Sequence, residues 1–230
     1  MRKITPSQIV VFLGFLLSAL ALSVGTTWLL LGRVPLGDFR GIVLTLTAIL
    51  LLYLYAILDY RIFLHFFPLR AGEIEPLSGQ EFVYHVYILH YLMLFYPLMQ
   101  SHVLPVPLLR VYYQLLGAKL GSNTWGPGTI LDPPFVEIGD DCVVGMDSIL
   151  CPHVIEGDRL AHYPIRIGNK VTIGAGATIL SNVEIGDGAI IGMRSLVAKG
   201  ARVGAGELWT GIPARRLRLV TESREPTPTV

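Results

Sequence analysis

His153 and His162 are the two side chains of this 230-residue chain best suited by type and setting to move a proton. Imidazole titrates near neutrality, so a histidine held beside a reacting hydroxyl or amine can act as a general base. Both lie beside or within an eleven-residue stretch, residues 156–166 (EGDRLAHYPIR), that interrupts an otherwise regular pattern. His153 stands just before it and reads as the candidate base. His162 stands inside it and reads as a solvated surface imidazole, because nothing near it in sequence fixes its geometry. Glu156, Asp158 and Asp147 are the carboxylates available to orient His153, and the sequence singles out none of them.

The elements that must position these residues are set by a six-residue rhythm. An aliphatic returns at Ile138, Val144, Leu150, Ile167, Ile173, Ile179, Ile185, Ile191, Val197 and Val203, usually followed by glycine. Four residues after each aliphatic comes a small or β-branched side chain, from Cys142 to Ala201. A helix would need returns at three and four residues, which this stretch lacks. Six-residue repeats mark a parallel β-helix, in which three short strands form one triangular coil. The expectation is about four coils over residues 120–207, with the 156–166 stretch ejected as a loop. Loops thrown out of a rigid repeat scaffold are where function concentrates. Extending the register backward puts Leu120, Gly126 and Asp132 at the corners of an atypical first coil, which Asp132-Pro133-Pro134 stiffens. Residues 208–230 read as a closing segment and a disordered tail from Thr221.

The front of the chain is of another kind. Apolar residues make up 52% of the whole and charged residues only 15%. No charge occurs between Lys3 and Arg33, and a second uncharged run follows over residues 41–58. A hydrocarbon layer of about 30 Å takes about 20 apolar residues to cross. Two transmembrane helices, about 7–32 and 41–62, therefore form a hairpin within residues 1–67. Arg2, Lys3, Arg61 and Arg70 outnumber Arg33 and Arg40, which favours the inner membrane with the repeat domain facing the cytoplasm. Residues 68–81 read as a loop, and 68–119 as a linker of interfacial and amphipathic helices. Residues 82–101 are long enough for a third crossing, but their tyrosines, with His85 and His90, favour the headgroup zone.

Two cysteines fit a reducing compartment. Cys142 fills a small-residue slot and reads as core packing. Cys142 and Cys151 alone make no zinc framework, and no metal site is assigned. A net charge of +1 without a basic cluster argues against nucleic acid.

Several stretches carry a family resemblance. They are Leu115-Leu116-Gly117-Ala118-Lys119-Leu120-Gly121, Ile138-Gly139-Asp140-Asp141, Leu150-Cys151-Pro152-His153-Val154, Pro164-Ile165-Arg166-Ile167-Gly168, Ser195-Leu196-Val197-Ala198-Lys199-Gly200 and Trp209-Thr210-Gly211-Ile212-Pro213-Ala214-Arg215. Over residues 105–216 the chain resembles the hexapeptide-repeat acyltransferase superfamily of left-handed β-helix enzymes. Within it, the chain looks most like capsule acetyltransferases of the colanic-acid type and the membrane-spanning terminal domains of poly-lysine-type peptide synthetases.

The resemblance implies a parallel homotrimer with active sites between neighbouring prisms. It implies acetyl-CoA or another acyl-CoA as co-substrate, with no permanently bound cofactor. His153 matches the family's base. Gly174, Gly176, Lys199, Gly211, Arg215 and Arg216 match positions along the CoA groove, where the two guanidinium groups suit phosphate. The acceptor would be a hydroxyl or amine of a membrane-associated, saccharide or peptide molecule. Partners would be the lipid bilayer and enzymes of polysaccharide, glycolipid or peptide synthesis. Three alternatives remain: a domain that ligates carrier-bound aminoacyl or peptide thioesters, a γ-type carbonic anhydrase needing three histidines around zinc, and a non-catalytic membrane scaffold.

Overall fold

The hexads fold into two-residue strands that stack in register from coil to coil. The structure is a computed structural model and describes residues 3–126 and 128–220; the tail expected to be disordered from Thr221 lies outside them. The chain divides into two compact units, residues 1–70 with 75–101, and residues 71–74 with 102–230.

The first unit is helical. Helix α1 (Pro6–Leu31) opens with proline in its first turn, where a missing N–H costs nothing, and with a capping box between Thr5 and Gln8. Helix α2 (Arg40–Phe66) outlasts the expected end at residue 62 by one turn. The two are tied by Thr26–Tyr55 at 2.8 Å and by Ser18 donating to Asp59 at 3.0 Å. Helix α3 (Gly79–His90) is capped by Ser78, whose hydroxyl accepts from the Glu81 N–H. It runs through a π-helical turn (Tyr91–Phe95) into α4 (Tyr96–Gln100). Three helical stretches, Pro6–Leu31, Gly37–Phe66 and Gly79–Gln100, are long and apolar enough to cross a membrane. The third is half buried within the unit and less apolar, with mean hydropathy 1.3 against 2.3 and 2.4. His90 is part of this packing: its ring meets Phe12 and Phe15, and its Nδ1 lies 2.8 Å from the Val86 carbonyl.

The second unit is a parallel β-helix of three sheets. On one face Lys119–Leu120, Val136–Ile138, Ile165–Ile167, Glu184–Ile185 and Arg202–Val203 follow one another in parallel. The other faces are built on Val143–Val144, Thr172–Ile173, Ile190–Ile191 and Glu207–Gly211, and on Thr129–Ile130, Ile149–Leu150, Thr178–Ile179 and Leu196–Val197. Each aliphatic of the rhythm is buried and sits on its counterpart in the next coil, as Val144, Ile173 and Ile191 do. Burial of such a side chain stabilises by about 1.5–3 kcal/mol, so the rhythm supplies the core of the unit. Glycine after the aliphatic is required by stacking: a Cβ on Gly174 would lie 2.5 Å from the Met193 backbone nitrogen. Cys142 is buried, with Sγ 3.1 Å from the Gly168 carbonyl, as its core slot requires. A hairpin closes the prism, Glu207–Gly211 pairing antiparallel with Ala214–Leu219.

Three details depart from the sequence reading. First, the ejected segment starts earlier than residue 156. It is a β-hairpin of His153–Glu156 and Arg159–His162, and the coil resumes at Ile165. Second, the stretch read as a plain loop over residues 68–81 contributes a strand, Gly72–Glu73, paired antiparallel with the outer edge of that hairpin. Glu73 takes a 2.8 Å hydrogen bond from Arg159 Nε, and Ile74 N–H donates to the Leu160 carbonyl. Third, the register of the first coil slips. Leu120 and Trp125 stand opposite Ile138 and Val143 as the rhythm requires, but Ile130, not Asp132, stands opposite Leu150. Asp132 is therefore two residues past the corner, ahead of a short turn (Pro133–Phe135).

Candidate active site

Tertiary structure gathers Asp132, Cys151, His153 and His162 at the base of the ejected hairpin. The hairpin register sets His153 directly opposite His162. The slipped first coil delivers Asp132 to both rings. Helix α5 (Val106–Leu115) braces that slip: the Tyr113 hydroxyl donates to the Gly128 carbonyl at 3.0 Å and accepts from the Ile130 N–H at 3.1 Å. Asp132 itself takes a left-handed conformation (φ 46°, ψ 65°), which aspartate and asparagine adopt more readily than most residues. The turn that follows supplies Phe135, whose ring stacks on His162 with centroids 4.5 Å apart.

The carboxylate holds His153 by its Nδ1, with Oδ2 2.5 Å away. Asp132 is almost fully buried, at 2% side-chain exposure, while the His153 side chain keeps 28%. A buried carboxylate on Nδ1 fixes ring orientation and tautomer. Burial alone would lower the His153 pKa. Hydrogen bonds to Asp132 and Cys151, with the Asp132 charge, outweigh it and raise the value from 6.5 to about 10. The Cys151 sulfur lies 3.5 Å from Nε2.

His162 differs from the solvated imidazole of the sequence reading. It is fully buried, with Nε2 3.9 Å from Asp132 Oδ1. Burial holds its pKa below the ordinary value; Asp132 pulls the other way and His153 adds to the lowering. The carboxylate thus sits between two imidazoles that its surroundings push in opposite directions. His162 is held towards its neutral form and packs on Phe135.

None of the carboxylates considered from sequence orients His153. Glu156 turns to Lys199 and Arg159, at 3.2 and 3.4 Å. Asp147 and Asp158 are exposed, the former at a turn with φ 57°. Asp132 was legible only as a stiff turn, because it lies 21 residues away and reaches His153 through the slip. Cys151 ends its rung beside His153, a contact that its place in the sequence does not convey.

The positions matched to a CoA groove fall in three places. Gly174 and Gly176 are turn residues of the prism, Gly176 with φ 67°. Lys199 reaches the ejected hairpin through Glu156. Gly211, Arg215 and Arg216 belong to the closing hairpin, where Gly211 turns with φ 98° and Arg216 pairs with Glu207 at 3.2 Å. Both arginines are exposed. Among the described residues no three His, Cys, Asp or Glu side chains are grouped so as to hold a metal ion.

The fold and repeat define a hexapeptide β-helix protein. Residues 164–199 match the family model described as bacterial transferase hexapeptide (six repeats). That stretch lies within the stacked coils of the β-helix, and in it the chain is similar to the hexapeptide-repeat transferases. The putative acetyltransferase YvoF of Bacillus subtilis is 28% identical over 149 residues, covering 60% of this chain and 86% of that protein. The delta-poly-L-ornithine synthetase of Acinetobacter baumannii is 28% identical over 109 residues, covering 47% of this chain; the match spans only 8% of the synthetase. Among solved structures, a hexapeptide-repeat acetyltransferase of Vibrio cholerae complexed with acetyl coenzyme A has a TM-score of 0.48 and 19% identity. That match covers 66% of this chain and 94% of the Vibrio chain.

Proposed function

We propose that this protein is a membrane-anchored acyltransferase that moves an acyl group, acetyl by default, from a CoA thioester to a hydroxyl or amine. The observation that carries the reading is the Asp132–His153 pair at the base of a hairpin ejected from a hexapeptide prism. Acyl transfer to a hydroxyl or amine needs a group that takes a proton as the acceptor attacks. His153 offers Nε2 for that, and Asp132 stabilises the imidazolium that forms, as the carboxylate does in other His–Asp pairs. The superfamily and the putative acetyltransferase relative support the reaction class.

Arg215 and Arg216 present guanidinium groups on the closing hairpin, suited to the phosphates of CoA. In this reading the pantetheine arm passes close to the backbone at Gly174 and Gly176, and Lys199 and Gly211 make further contacts with CoA. The protein acts as a homotrimer, with sites completed between prisms. The long uncharged helices α1 and α2 support anchoring in the inner membrane, and the basic residues flanking that hairpin favour the cytoplasmic side for the repeat unit. An anchored enzyme meets an acceptor that is itself at the membrane, such as a lipid-linked saccharide.

The test is acetyl-CoA binding to the detergent-solubilised full chain, wild type beside Arg215→Ala/Arg216→Ala. Saturable binding that weakens about tenfold or more in the double variant supports the reading, since a charged hydrogen bond contributes about 1.5–3 kcal/mol. A trimer that binds no acetyl-CoA refutes it.

A further inference from the structure

The raised pKa of His153 poses a chemical question for direct transfer. With a value of about 10 the ring is an imidazolium at neutral pH, and only about one molecule in a thousand holds the neutral base. A cationic imidazole is a poor acceptor for an alcohol proton. It is, however, the partner that favours the thiolate of an adjacent cysteine.

Cys151 is placed to use it. We propose that Cys151 is a catalytic nucleophile that takes the acyl group from the thioester donor onto its sulfur before His153 assists transfer to the acceptor. The proposal rests on the acyltransferase reading above and adds a covalent step to it. Its geometry is a line of nucleophile, base and orienting carboxylate. Sγ stands 3.5 Å from His153 Nε2, and Nδ1 stands 2.5 Å from Asp132. This is the arrangement by which an adjacent base activates a thiol.

The sulfur is held in place by its backbone. The Cys151 N–H donates to the Ile179 carbonyl at 2.9 Å, which fixes it to the rung, and Pro152 stiffens the step to His153. Cys151 is partly exposed. The second thiol of the chain, Cys142, provides an internal contrast: it is buried in the prism, its pKa is pushed up by that burial, and its sulfur packs against main chain. One cysteine is built as core and the other stands beside a histidine–aspartate pair.

The steps balance without an added reagent. In the reacting complex Sγ attacks the thioester carbonyl with the proton that Cys151 and His153 share placed on Nε2. The new Sγ–C bond forms, the C–S bond to CoA breaks, and the departing CoA thiolate takes the proton from Nε2. The acyl group is now a thioester of Cys151, and His153 is neutral. Acylation removes the thiol partner that helped hold the imidazolium, so the ring is a better base at the moment the acceptor arrives. The acceptor hydroxyl or amine then loses its proton to Nε2 as its oxygen or nitrogen bonds to the acyl carbon. The Cys151 thiolate leaves and re-forms its pair with the imidazolium.

A covalent route makes a demand that direct transfer does not. The full-length solubilised protein must exchange labelled free CoA into acetyl-CoA with no acceptor present. It must also gain the mass of one acetyl group on Cys151, located by peptide mapping. In Cys151→Ala, exchange is expected to fall at least about 10²-fold while acetyl-CoA still binds; adduct mapping in the wild type stands even where that variant fails to fold. Binding of acetyl-CoA without adduct or exchange overturns the covalent step and leaves the acyltransferase reading intact, as does exchange that persists in Cys151→Ala. A wild-type trimer that binds no acetyl-CoA overturns both.

Discussion

Replacing Asp132 with asparagine separates the charge of the histidine pair from its shape. The left-handed backbone at this position (φ 46°, ψ 65°) suits asparagine as well as aspartate, so the turn that carries the side chain survives. The neutral amide no longer favours the imidazolium. His153 should then titrate well below the value near 10 that it has beside the carboxylate, moving towards 6.5. The return is incomplete because Cys151 still contacts Nε2. At about 1.36 kcal/mol per pH unit, the step from 6.5 to 10 corresponds to at most about 5 kcal/mol. Solvent screening reduces it, since 28% of the His153 side chain is exposed.

The sign follows from which state holds the proton. The unfolded chain releases it above about 6.5, whereas the folded chain keeps it until about 10. The pair therefore stabilises the fold fully below pH 6.5, and the contribution is lost as pH rises towards 10. The assay is an imidazole titration by NMR on histidine-labelled protein in detergent, with thermal melts at pH 6, 8 and 10. Wild type should show a histidine still protonated at pH 8 and a melting temperature that falls across that window. The asparagine variant should show a lower titration and a flatter dependence. A wild-type His153 that titrates near 6.5, or identical curves for the two proteins, would refute the electrostatic account of the site.

Four further outcomes are expected. His153→Ala should lower CoA release with a hydroxyl or amine acceptor by about 10²–10⁴-fold without loss of the fold, since the ring is partly exposed; unchanged turnover would remove His153 from the reaction. Tyr113→Phe deletes the hydroxyl that bridges Gly128 and Ile130. It should cost about 1–3 kcal/mol in stability and shift the His153 titration as Asp132 loosens; a titration matching wild type would show that the slip holds without it. Ile179→Ala, at a fully buried rung position, should destabilise by about 2–5 kcal/mol, read as a lowered melting temperature. Gly174→Ala places a Cβ 2.5 Å from the Met193 backbone nitrogen. Forcing the coils apart should cost about 1–3 kcal/mol, and a neutral effect would show that the stack yields at that corner.

The β-helix and the apolar helices could be read from the chain because both depend on local, repeated patterns. One aliphatic in six, followed by glycine, is compatible with stacked two-residue strands and with little else, and all ten rhythm positions from Ile138 to Val203 are buried. Uncharged runs in the first 67 residues match α1 and α2 to within a turn. That His153 borders the ejected hairpin was legible too, since it stands beside a break in a strict repeat.

Its partners were not legible, because what joins them is non-local. Asp132 meets His153 across 21 residues through a two-residue slip in the first coil, a slip braced by a tyrosine of α5. The rhythm has already decayed there, so extrapolating it put Asp132 at a corner. His162 looked solvated because hairpin pairing, Phe135 and the strand Gly72–Glu73 cover it only once the chain has folded. Cys151 looked unremarkable for the same reason: a thiol two residues from a histidine gains chemical meaning only when the backbone turns the ring's Nε2 towards it. Periodicity determines which residues face the core, since burial acts on every repeat alike. The site depends on where the period fails, and only tertiary packing decides how the chain resolves each failure.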